Sequence, residues 1–387
     1  MRDSRLLRSC SHTASAVDPS IVRVSKKRHE VLLESEIVHF AHALKPHSIP
    51  LQQILAIKDA KMLQDFLLEE LPIRYARRLQ LMRDLPRWEE FQPLRVIQAL
   101  YSDAFRRLRM LNSADAARFR STVQNIKRRN ANMLVHVMRG ARAMKSAQAV
   151  DDQTIDVFLD DFLTARIGTD ILTSQYLALT GPGSTNSAID PLCDPVRIIR
   201  TAAIDATQLC KLHFGRSPPI DVSDASQVRF PFISQYLNYI VFEVLKNSVR
   251  AVTERHSLAD LDNHPVRVLV CGDESTVAIR ISDDGGGIPP DAIEKVWCYL
   301  YTTAKPPSPA EDDIGSDDGH ESSVAPLAGF GCGLPLSRNY ASYVGGRLEL
   351  SSMHQHGTNA YVYLNRLGDA DEVLEPRHGL PSRGYLQ

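Results

Sequence analysis

Glu243 and Asn247 lie one helical turn apart in the stretch "FISQYLNYIVFEVLKNSVRAVTERH", where apolar residues recur with helical spacing. An Asn side-chain oxygen is a hard ligand that suits Mg²⁺ shared with substrate phosphates. A glutamate one turn away could orient or deprotonate a nucleophilic hydroxyl. The spacing alone also fits a solvent-facing helix with ordinary polar pairs at i and i+4. The apolar face of the same helix is predicted to be buried and comprises Leu237, Ile240, Val241, Val244 and Leu245.

A second group, "RISDDGGGIPP" at residues 280–290, places Asp283 and Asp284 against three glycines. Bare backbone N–H groups of a glycine loop usually close on phosphate, which a carboxylate would repel. No G-K-[S/T] follows, and the dinucleotide fingerprint G-x-G-x-x-G is absent there. Taken alone, the pattern is also that of a turn after a strand.

Two further groups complete the set. "YTTA" at 301–304 supplies two hydroxyls, and "GFGCGLP" at 329–335 alternates glycines with other residues just before a predicted helix. Flexible backbone N–H groups at a helix N-terminus favour phosphate binding, although a lone glycine alternation also fits a loose turn. "GTN" at 357–359 opens a predicted strand.

The spacing of apolar residues predicts the helices and strands that position these motifs. "VRVLVCGDESTVAIRIS" predicts two strands joined by a turn at "GDES", with Val277, Ile279 and Ile281 on one face. "PVRIIRTAAIDATQLCKLHF" predicts a helix, and "PLSRNYASYVGG" predicts a short one between Pro335 and Gly345. "GRLELSS" and "GTNAYVYLN" predict strands. Together these segments favour a two-layer α/β sandwich.

The preceding part of the chain reads differently. Residues 30–180 lack strand-like alternation and carry apolar residues at helical spacing, which predicts packed long helices. In "TIDVFLDDFLTARIGTDILTSQYLAL" one stripe contains Ile155, Leu159, Phe162, Leu163, Ile167, Ile171 and Leu172. "TGPGSTNSAIDP" at 180–191 predicts a linker, and the acidic stretch 305–326 predicts a mobile loop.

Composition narrows the class of protein. The formal net charge of −1 gives no global argument for nucleic acid, and no apolar run approaches a membrane span. Six cysteines without a C-x-x-C pair suit a reducing compartment. Residues 73–145 carry 17 Arg/Lys and 5 Asp/Glu, which fits either solvated helix faces or a docking surface for an acidic partner. The Arg- and Ser-rich start of the chain is typical of a mitochondrial transit segment or of a basic, disordered terminus.

The order E-x-x-x-N, D-x-G-x-G, G-x-G-x-G and G-T resembles the four-box pattern of the gyrase, histidine-kinase and chaperone ATPase superfamily. The resemblance implies that Asp283 accepts a hydrogen bond from the adenine amine and that the glycines leave room for the base, with Asp284 facing solvent. More specifically, "FEVLKNSVRAVTE", "ISDDGGGIP" and "GFGCGLPLSRNYASYVGG" resemble the mitochondrial kinases of pyruvate and branched-chain 2-oxoacid dehydrogenases. "ELPIRYARRL" and "FLDDFLTARIGTDIL" in the helical part resemble the same family.

This family resemblance implies a fold, an activity and a set of partners. The fold is an N-terminal four-helix bundle followed by a two-layer α/β sandwich nucleotide-binding domain. We expect a transit segment at 1–29, the helical bundle at 30–180, the kinase domain at 181–370 and a short tail at 371–387. The activity is Mg²⁺- and ATP-dependent phosphorylation of a serine on the decarboxylase component in the mitochondrial matrix, which would inhibit the complex. The partners are that complex, a lipoyl domain as the docking site and a second copy of the chain, with no nucleic acid.

The resemblance also implies residue roles. Glu243 is the general base, Asn247 is the Mg²⁺ ligand, and Lys246 and Arg250 lie near the phosphates. The full set of implied nucleotide contacts is Lys246, Asn247, Arg250, Asp283, Gly285, Gly287, Thr302, Thr303, Gly329, Phe330, Gly331, Cys332, Gly333, Leu334 and Thr358.

Three features leave the branch of the family open. Tyr239 resembles the branched-chain enzyme, whereas Phe242 and "IDPLC" at 189–193 resemble the pyruvate enzymes. The stretch after the last strand is short, so dimerisation by exchange of long tails is not predicted. An alternative function is an ATP-gated binding or clamp module that transfers no phosphate to protein.

Overall fold

The computed structural model describes residues 25–181, 187–303 and 331–374. The N-terminal part is helical, as predicted, although the exact four-helix bundle stays a prediction. Its helices are α1 (Lys26–Ala43), α2 (Leu51–Ala56), α3 (Ala60–Arg83), α4 (Gln92–Arg109), α5 (Ala116–Arg129), α6 (Met133–Ser146) and α7 (Asp152–Thr180).

Helix α7 shows why this region folds as packed helices. Its first turn is capped by Asp151, whose side chain accepts a hydrogen bond from the Thr154 N–H. The apolar stripe predicted from the sequence is buried along the whole helix, from Ile155 to Leu172. Because α7 contacts α3, α5 and α6, burial of this stripe supplies much of the apolar contact of the region.

The C-terminal part is a helix layer on a sheet. Its elements are β1 (Asp190–Cys193), α8 (Pro195–Phe214), β2 (Ile220–Asp224), β3 (Phe230–Phe232), α9 (Ser234–Arg255), β4 (Val266–Gly272), β5 (Thr276–Asp283), α10 (Gly333–Ser342), β6 (Arg347–Met353) and β7 (Gly357–Asn365). The main sheet has the order β2-β4-β5-β7-β6, with β2 parallel to β4 and the other pairs antiparallel. Helices α9 and α10 pack against this sheet, so the predicted two-layer α/β architecture is confirmed.

The β4–β5 hairpin forms as the alternation of apolar and polar residues predicted. Val277, Ile279 and Ile281 are fully buried on the face that carries the helices. The Asp273 carboxylate closes the turn by accepting hydrogen bonds from the backbone N–H groups of Ser275 and Thr276. Register is set by this buried face, because a slip by one residue would expose every one of these side chains.

The two parts are in direct contact. Helix α7 packs against α10, and the Asp156 carboxylate accepts a hydrogen bond from the Tyr299 N–H at 2.7 Å. The Tyr299 hydroxyl donates to Asp160 at 3.1 Å and accepts from the Asn339 amide of α10 at 2.9 Å. Contacts with α7 therefore fix one side of the helical region to α10, the helix that begins within "GFGCGLP".

A buried ion-pair cluster makes a second connection. The Arg74 guanidinium on α3 contacts the Glu70 carboxylate at 2.7 Å and the Glu372 carboxylate, beyond β7, at 2.8 Å. All three side chains are almost fully buried. Burial raises the pKa of Glu372, and the charge of Arg74 opposes that rise. The chain that leaves the sheet is thus held onto the helical region.

Several expectations fall outside the described residues. They concern most of the transit segment, the centre of the 180–191 linker, the 305–326 loop, most of the tail, and Gly329 and Phe330. Among the described helices, none has both the length and the apolar character that crossing a bilayer requires.

Replacement of Arg74 by Met tests the connection between α3 and Glu372. It leaves two buried carboxylates without their cation, which should lower the free energy of unfolding by about 3–5 kcal/mol. Urea unfolding followed by circular dichroism measures the loss. The matched control is Glu36→Gln, which breaks the exposed Arg109–Glu36 pair and should cost less than about 1 kcal/mol. Equal losses in the two variants would contradict a stabilising role for the buried cluster.

Candidate functional site

A cavity of about 110 Å³ lies between α9 and the sheet, where the predicted motifs meet. It is bordered by Asn247 from the first motif, Asp283 and Gly287 from the second, Leu334 from the third and Thr358 from the fourth. Motif residues as far apart in the sequence as Asn247 and Thr358, which are separated by 111 positions, therefore line the same cavity. Apart from Ser248, the other lining residues are apolar, as expected of a pocket that receives a flat ring.

Strand pairing brings the second and fourth motifs together. Asp283 ends β5 directly opposite Thr358 on β7. One oxygen of the Asp283 carboxylate accepts hydrogen bonds from the N–H groups of Gly285 at 3.0 Å and Thr358 at 3.3 Å. The other oxygen accepts from the Ser248 hydroxyl at 2.8 Å. These contacts fix the orientation of the carboxylate at the cavity.

Burial has an electrostatic consequence for Asp283. Removal from water raises the pKa of its carboxyl above the ordinary value, while the three hydrogen bonds oppose that rise. The ionised form that can accept a hydrogen bond from a ligand therefore depends on Ser248, Gly285 and Thr358.

The glycines of the second motif make room for protein as well as for a ligand. A Cβ atom on Gly285 would lie 2.6 Å from the Ala251 Cβ on α9. Gly287 has φ of +68°, and a Cβ there would overlap the Met353 carbonyl oxygen. These glycines therefore let the turn approach α9 and the β6–β7 hairpin, and the expectation that they also leave room for the base stays a prediction.

The third motif approaches the first from the other side. Gly331 has φ of +64° and its carbonyl accepts a hydrogen bond from the Leu300 N–H at 2.9 Å, which joins it to the segment before "YTTA". Cys332 is buried, and its burial raises the pKa of the thiol to about 12. Gly333 begins α10, and a Cβ there would overlap the Glu243 carboxylate. The helix that follows the glycines therefore begins in contact with Glu243.

Glu243 is buried and paired with a lysine. Only 4% of its surface is exposed, and the Lys246 ammonium contacts both carboxylate oxygens at 2.7 Å. A buried carboxylate without a partner would be costly, so this pairing compensates its burial. The nearby Tyr239 ring packs edge-on against Tyr340, and burial raises the pKa of the Tyr239 hydroxyl well above its usual range.

The remaining predicted residues lie at the open side. The Asn247 side chain is exposed at the cavity rim and makes no hydrogen bond with another described residue. Arg250 pairs with Glu254 at 2.7 Å and reaches the Thr303 carbonyl at 3.4 Å. Thr302 and Thr303 are exposed beside it.

Asp284 departs from its expected position. Its side chain is 42% exposed, but one oxygen pairs with the His264 imidazole at 2.6 Å instead of facing only solvent. The hydrogen bond with Asp284 raises the pKa of His264. Neighbouring aspartates in one turn thus point to different sides of it.

Sequence reasoning missed the polar and apolar supports of the cavity. Ser248 follows Asn247 directly, and its spacing from Val244 and Ala251, at i−4 and i+3, could have placed it on the face toward the sheet. The Ser352 hydroxyl shares a hydrogen bond of 3.0 Å with the Thr358 hydroxyl. It also accepts a hydrogen bond from the Ile288 N–H at 2.7 Å. Leu350 and Ala360 complete the wall and are paired across β6 and β7. Only strand register could have identified these two.

Comparison with known proteins agrees with this arrangement. Residues 233–367 match the model for histidine kinase-, DNA gyrase B-, and HSP90-like ATPases. Residues 49–192 match the model for mitochondrial branched-chain alpha-ketoacid dehydrogenase kinase. A mitochondrial pyruvate dehydrogenase (acetyl-transferring) kinase of Arabidopsis thaliana is 34% identical over 318 residues, which are 80% of this chain and 86% of that protein. The chain belongs to this family of mitochondrial protein kinases.

Other relatives carry the same description. The kinase of Schizosaccharomyces pombe is 37% identical over 262 residues, which are 66% of this chain and 61% of that protein. Human isozyme 4 is 30% identical over 362 residues, which are 87% of this chain and 85% of that protein. The ATPase match and the kinase relatives support ATP as the nucleotide of the cavity.

Replacement of Ser248 by Ala should weaken ATP binding. Loss of the hydroxyl removes one hydrogen bond that orients and stabilises the Asp283 carboxylate, which is worth about 1–1.5 kcal/mol or about five- to tenfold in the dissociation constant. Isothermal titration calorimetry measures the change. Ser121→Ala, on the exposed side of α5, is the control and should bind as the unaltered chain does. Unchanged affinity in Ser248→Ala would show that Asp283 does not depend on this contact.

ATP binding should also weaken in acid. Because burial raises the pKa of Asp283, its protonated form accumulates at a higher pH than for an ordinary aspartate with a pKa of about 3.9. Protonation removes acceptor capacity, so the dissociation constant should rise as the pH is lowered, and it should do so at a higher pH than an ordinary aspartate would allow. The same titration on Asp283→Asn isolates this group, since the variant should bind weakly and lose the part of the pH dependence that the carboxyl contributes. Identical pH profiles would exclude Asp283 as the titrating group.

Proposed function

We propose that this chain is an ATP-dependent protein-serine kinase that phosphorylates the decarboxylase component of a mitochondrial 2-oxoacid dehydrogenase complex. Phosphorylation of that component would inhibit the complex. The observation that carries the proposal is the single cavity that joins Asn247, Asp283 and Thr358 beside the buried Glu243. The relatives named above supply the substrate class, because they are named for pyruvate dehydrogenase.

Asp283 would recognise the base. Its carboxylate already accepts three hydrogen bonds from protein donors, which hold it at the cavity and leave acceptor capacity for the adenine amine. Gly285 and Gly287 shape the turn around it. Leu334 and Thr358, which also line the cavity, would contact the nucleotide.

Glu243 would accept the proton of the serine hydroxyl as the oxygen attacks the γ-phosphorus. The new bond joins the serine oxygen to phosphorus, the bond to the β-phosphate bridging oxygen breaks, and ADP leaves. Both Glu243 oxygens are held by Lys246 in this structure. Phosphate groups arriving above α9 would compete for the Lys246 ammonium, which frees one carboxylate oxygen for the proton.

The donor set at Asn247 fits Mg²⁺. Its carboxamide is exposed at the rim, one turn from Glu243, and is not engaged by another described residue. Mg²⁺ prefers a few protein oxygens together with phosphates and water, and it would neutralise charge on the transferring phosphoryl group.

The remaining residues would surround the phosphates. Gly331 and Cys332 lead into Gly333, the first residue of α10, and the backbone N–H groups of these three residues would face the phosphates. The preceding Gly329 and Phe330 belong to the same motif. Arg250, Thr302 and Thr303 lie along the open side and would add charge and hydroxyl groups there.

The helical part at 30–180 would dock the complex, with the kinase domain at 181–370. Three guanidiniums, of Arg106, Arg107 and Arg129, surround the single Asp103 carboxylate on an exposed surface of α4 and α5. This positive excess suits an acidic lipoyl domain. The mitochondrial relatives favour the matrix as the location, and a homodimer is proposed on the family likeness.

Glu243→Gln tests the transfer step. With labelled ATP and each purified dehydrogenase, pyruvate and branched-chain, the unaltered chain should phosphorylate serine in the decarboxylase component of one of them. The Gln variant should keep ATP affinity within about twofold and lose at least about 100-fold in transfer rate, because general-base contributions lie in the range of about 10²–10⁴.

Other outcomes separate the alternatives. ATP binding or hydrolysis by the unaltered chain without a phosphoprotein would contradict the kinase proposal and favour an ATP-gated binding module. Equal transfer by the unaltered chain and the Gln variant would exclude Glu243 as the base.

A further inference from the structure

A cluster of two histidines and an aspartate lies on the reverse side of the turn that holds Asp283. His256 ends α9, His264 precedes β4, and Asp284 directly follows β5. Each side chain offers one atom that could bind a metal ion, and these three atoms lie within 4.8 Å of one another. Among the described histidines, cysteines, aspartates and glutamates, no other group of three or more is this close. The cluster takes no part in the function proposed above.

Local structure explains the proximity. Arg267 pairs with Ser282 in the β4–β5 ladder, so the residues just before β4 lie beside those just after β5. The C-terminal end of α9 reaches the same place, where the His256 imidazole contacts the Asp284 carbonyl at 3.0 Å. The His256 and His264 rings stack with centroids 3.5 Å apart and an interplanar angle of 15°.

Asp284 has an oxygen that lacks a partner. One oxygen pairs with the His264 Nδ1 at 2.6 Å, while Oδ1 is buried and has no hydrogen-bond partner among the described residues. This Oδ1 lies 4.0 Å from the His256 Nε2. Buried polar atoms are nearly always satisfied, so this oxygen is available to a bound donor or to a metal ion beside the two imidazoles.

A second carboxylate, that of Asp260, orients His264. The His264 Nε2 lies 3.1 Å from the Asp260 carboxylate, and its Nδ1 is directed at Asp284. A carboxylate that accepts the N–H of one ring nitrogen turns the other nitrogen toward a metal ion, which is the usual support of histidine ligands. Asp260 would be the positioning residue of such a site.

We propose that His256, His264 and Asp284 bind a divalent transition-metal ion of the zinc class. Two imidazole nitrogens and one carboxylate oxygen suit Zn²⁺ or Co²⁺, whereas Mg²⁺ prefers oxygen ligands. Tetrahedral zinc with bonds of about 2.0–2.1 Å needs ligand atoms about 3.3 Å apart. Small rotations of these partly exposed side chains would bring the ligand atoms to that separation, and water would complete the coordination.

Bound metal would join the end of α9 to the turn that follows β5. Asp284 is adjacent to Asp283, whose carboxylate accepts from the Gly285 N–H. The ion would therefore hold the turn on which the base-recognising carboxylate depends. Metal binding itself does not rest on the proposed kinase activity.

The test is titration of the full, metal-stripped chain, free of any polyhistidine tag, with Co²⁺ in the presence of excess Mg²⁺. One equivalent should bind, with the visible absorption of a four-coordinate site, and Zn²⁺ should displace it. Asp260→Asn should weaken binding by about 10- to 100-fold, and His264→Ala by more. His213→Ala, which removes an exposed histidine of α8, should leave the binding unchanged.

His256→Gln is a second test, at the end of helix α9. It serves if the His264 variant does not fold. Absence of a Co²⁺ site in the unaltered chain, or equal affinity in His256→Gln and the unaltered chain, would overturn the proposal. Loss of metal binding with intact ATP binding would separate this site from the nucleotide cavity.

Discussion

The contact on which the site depends is the triple hydrogen bonding of the Asp283 carboxylate by Ser248, Gly285 and Thr358. Each donor comes from a different structural unit: helix α9, the glycine turn and strand β7. A buried carboxylate would otherwise be protonated or displaced toward water. The same three bonds that keep it ionised also join the helix layer to the sheet at the cavity.

Buried ionisable side chains are paired with side chains of opposite charge in two other places. Glu243 is buried against Gly333 and is paired by Lys246, and Arg74 is buried between Glu70 and Glu372. The two clusters differ in their exposure to a ligand. The Arg74 cluster is enclosed and holds chain segments together, whereas Lys246 is proposed to exchange its carboxylate partner for phosphate. Buried pairing thus serves architecture in the first cluster and, under that proposal, reactivity in the second.

Local signals predicted the elements of the C-terminal part well. The strands β4 and β5, the helix α9 and the short helix α10 agree with their predicted segments because period, turn residues and caps all favoured the same structure. The motif residues Asn247, Asp283, Gly287, Leu334 and Thr358 line one cavity, and their roles toward a nucleotide stay predictions. Their grouping came from the order of motifs in a known family and not from periodicity.

What the sequence determined by itself was therefore the class of the longer elements, the buried faces and the family-level motifs, since these depend on residues close together along the chain. Tertiary structure decided the rest. It paired Lys246 with Glu243, placed Ser248 on Asp283, turned Asp284 toward His264, and fitted Gly285 against Ala251. These contacts depend on strand register and on the approach of α9 to the sheet, and both are set by how the whole apolar face packs, which no local pattern encodes.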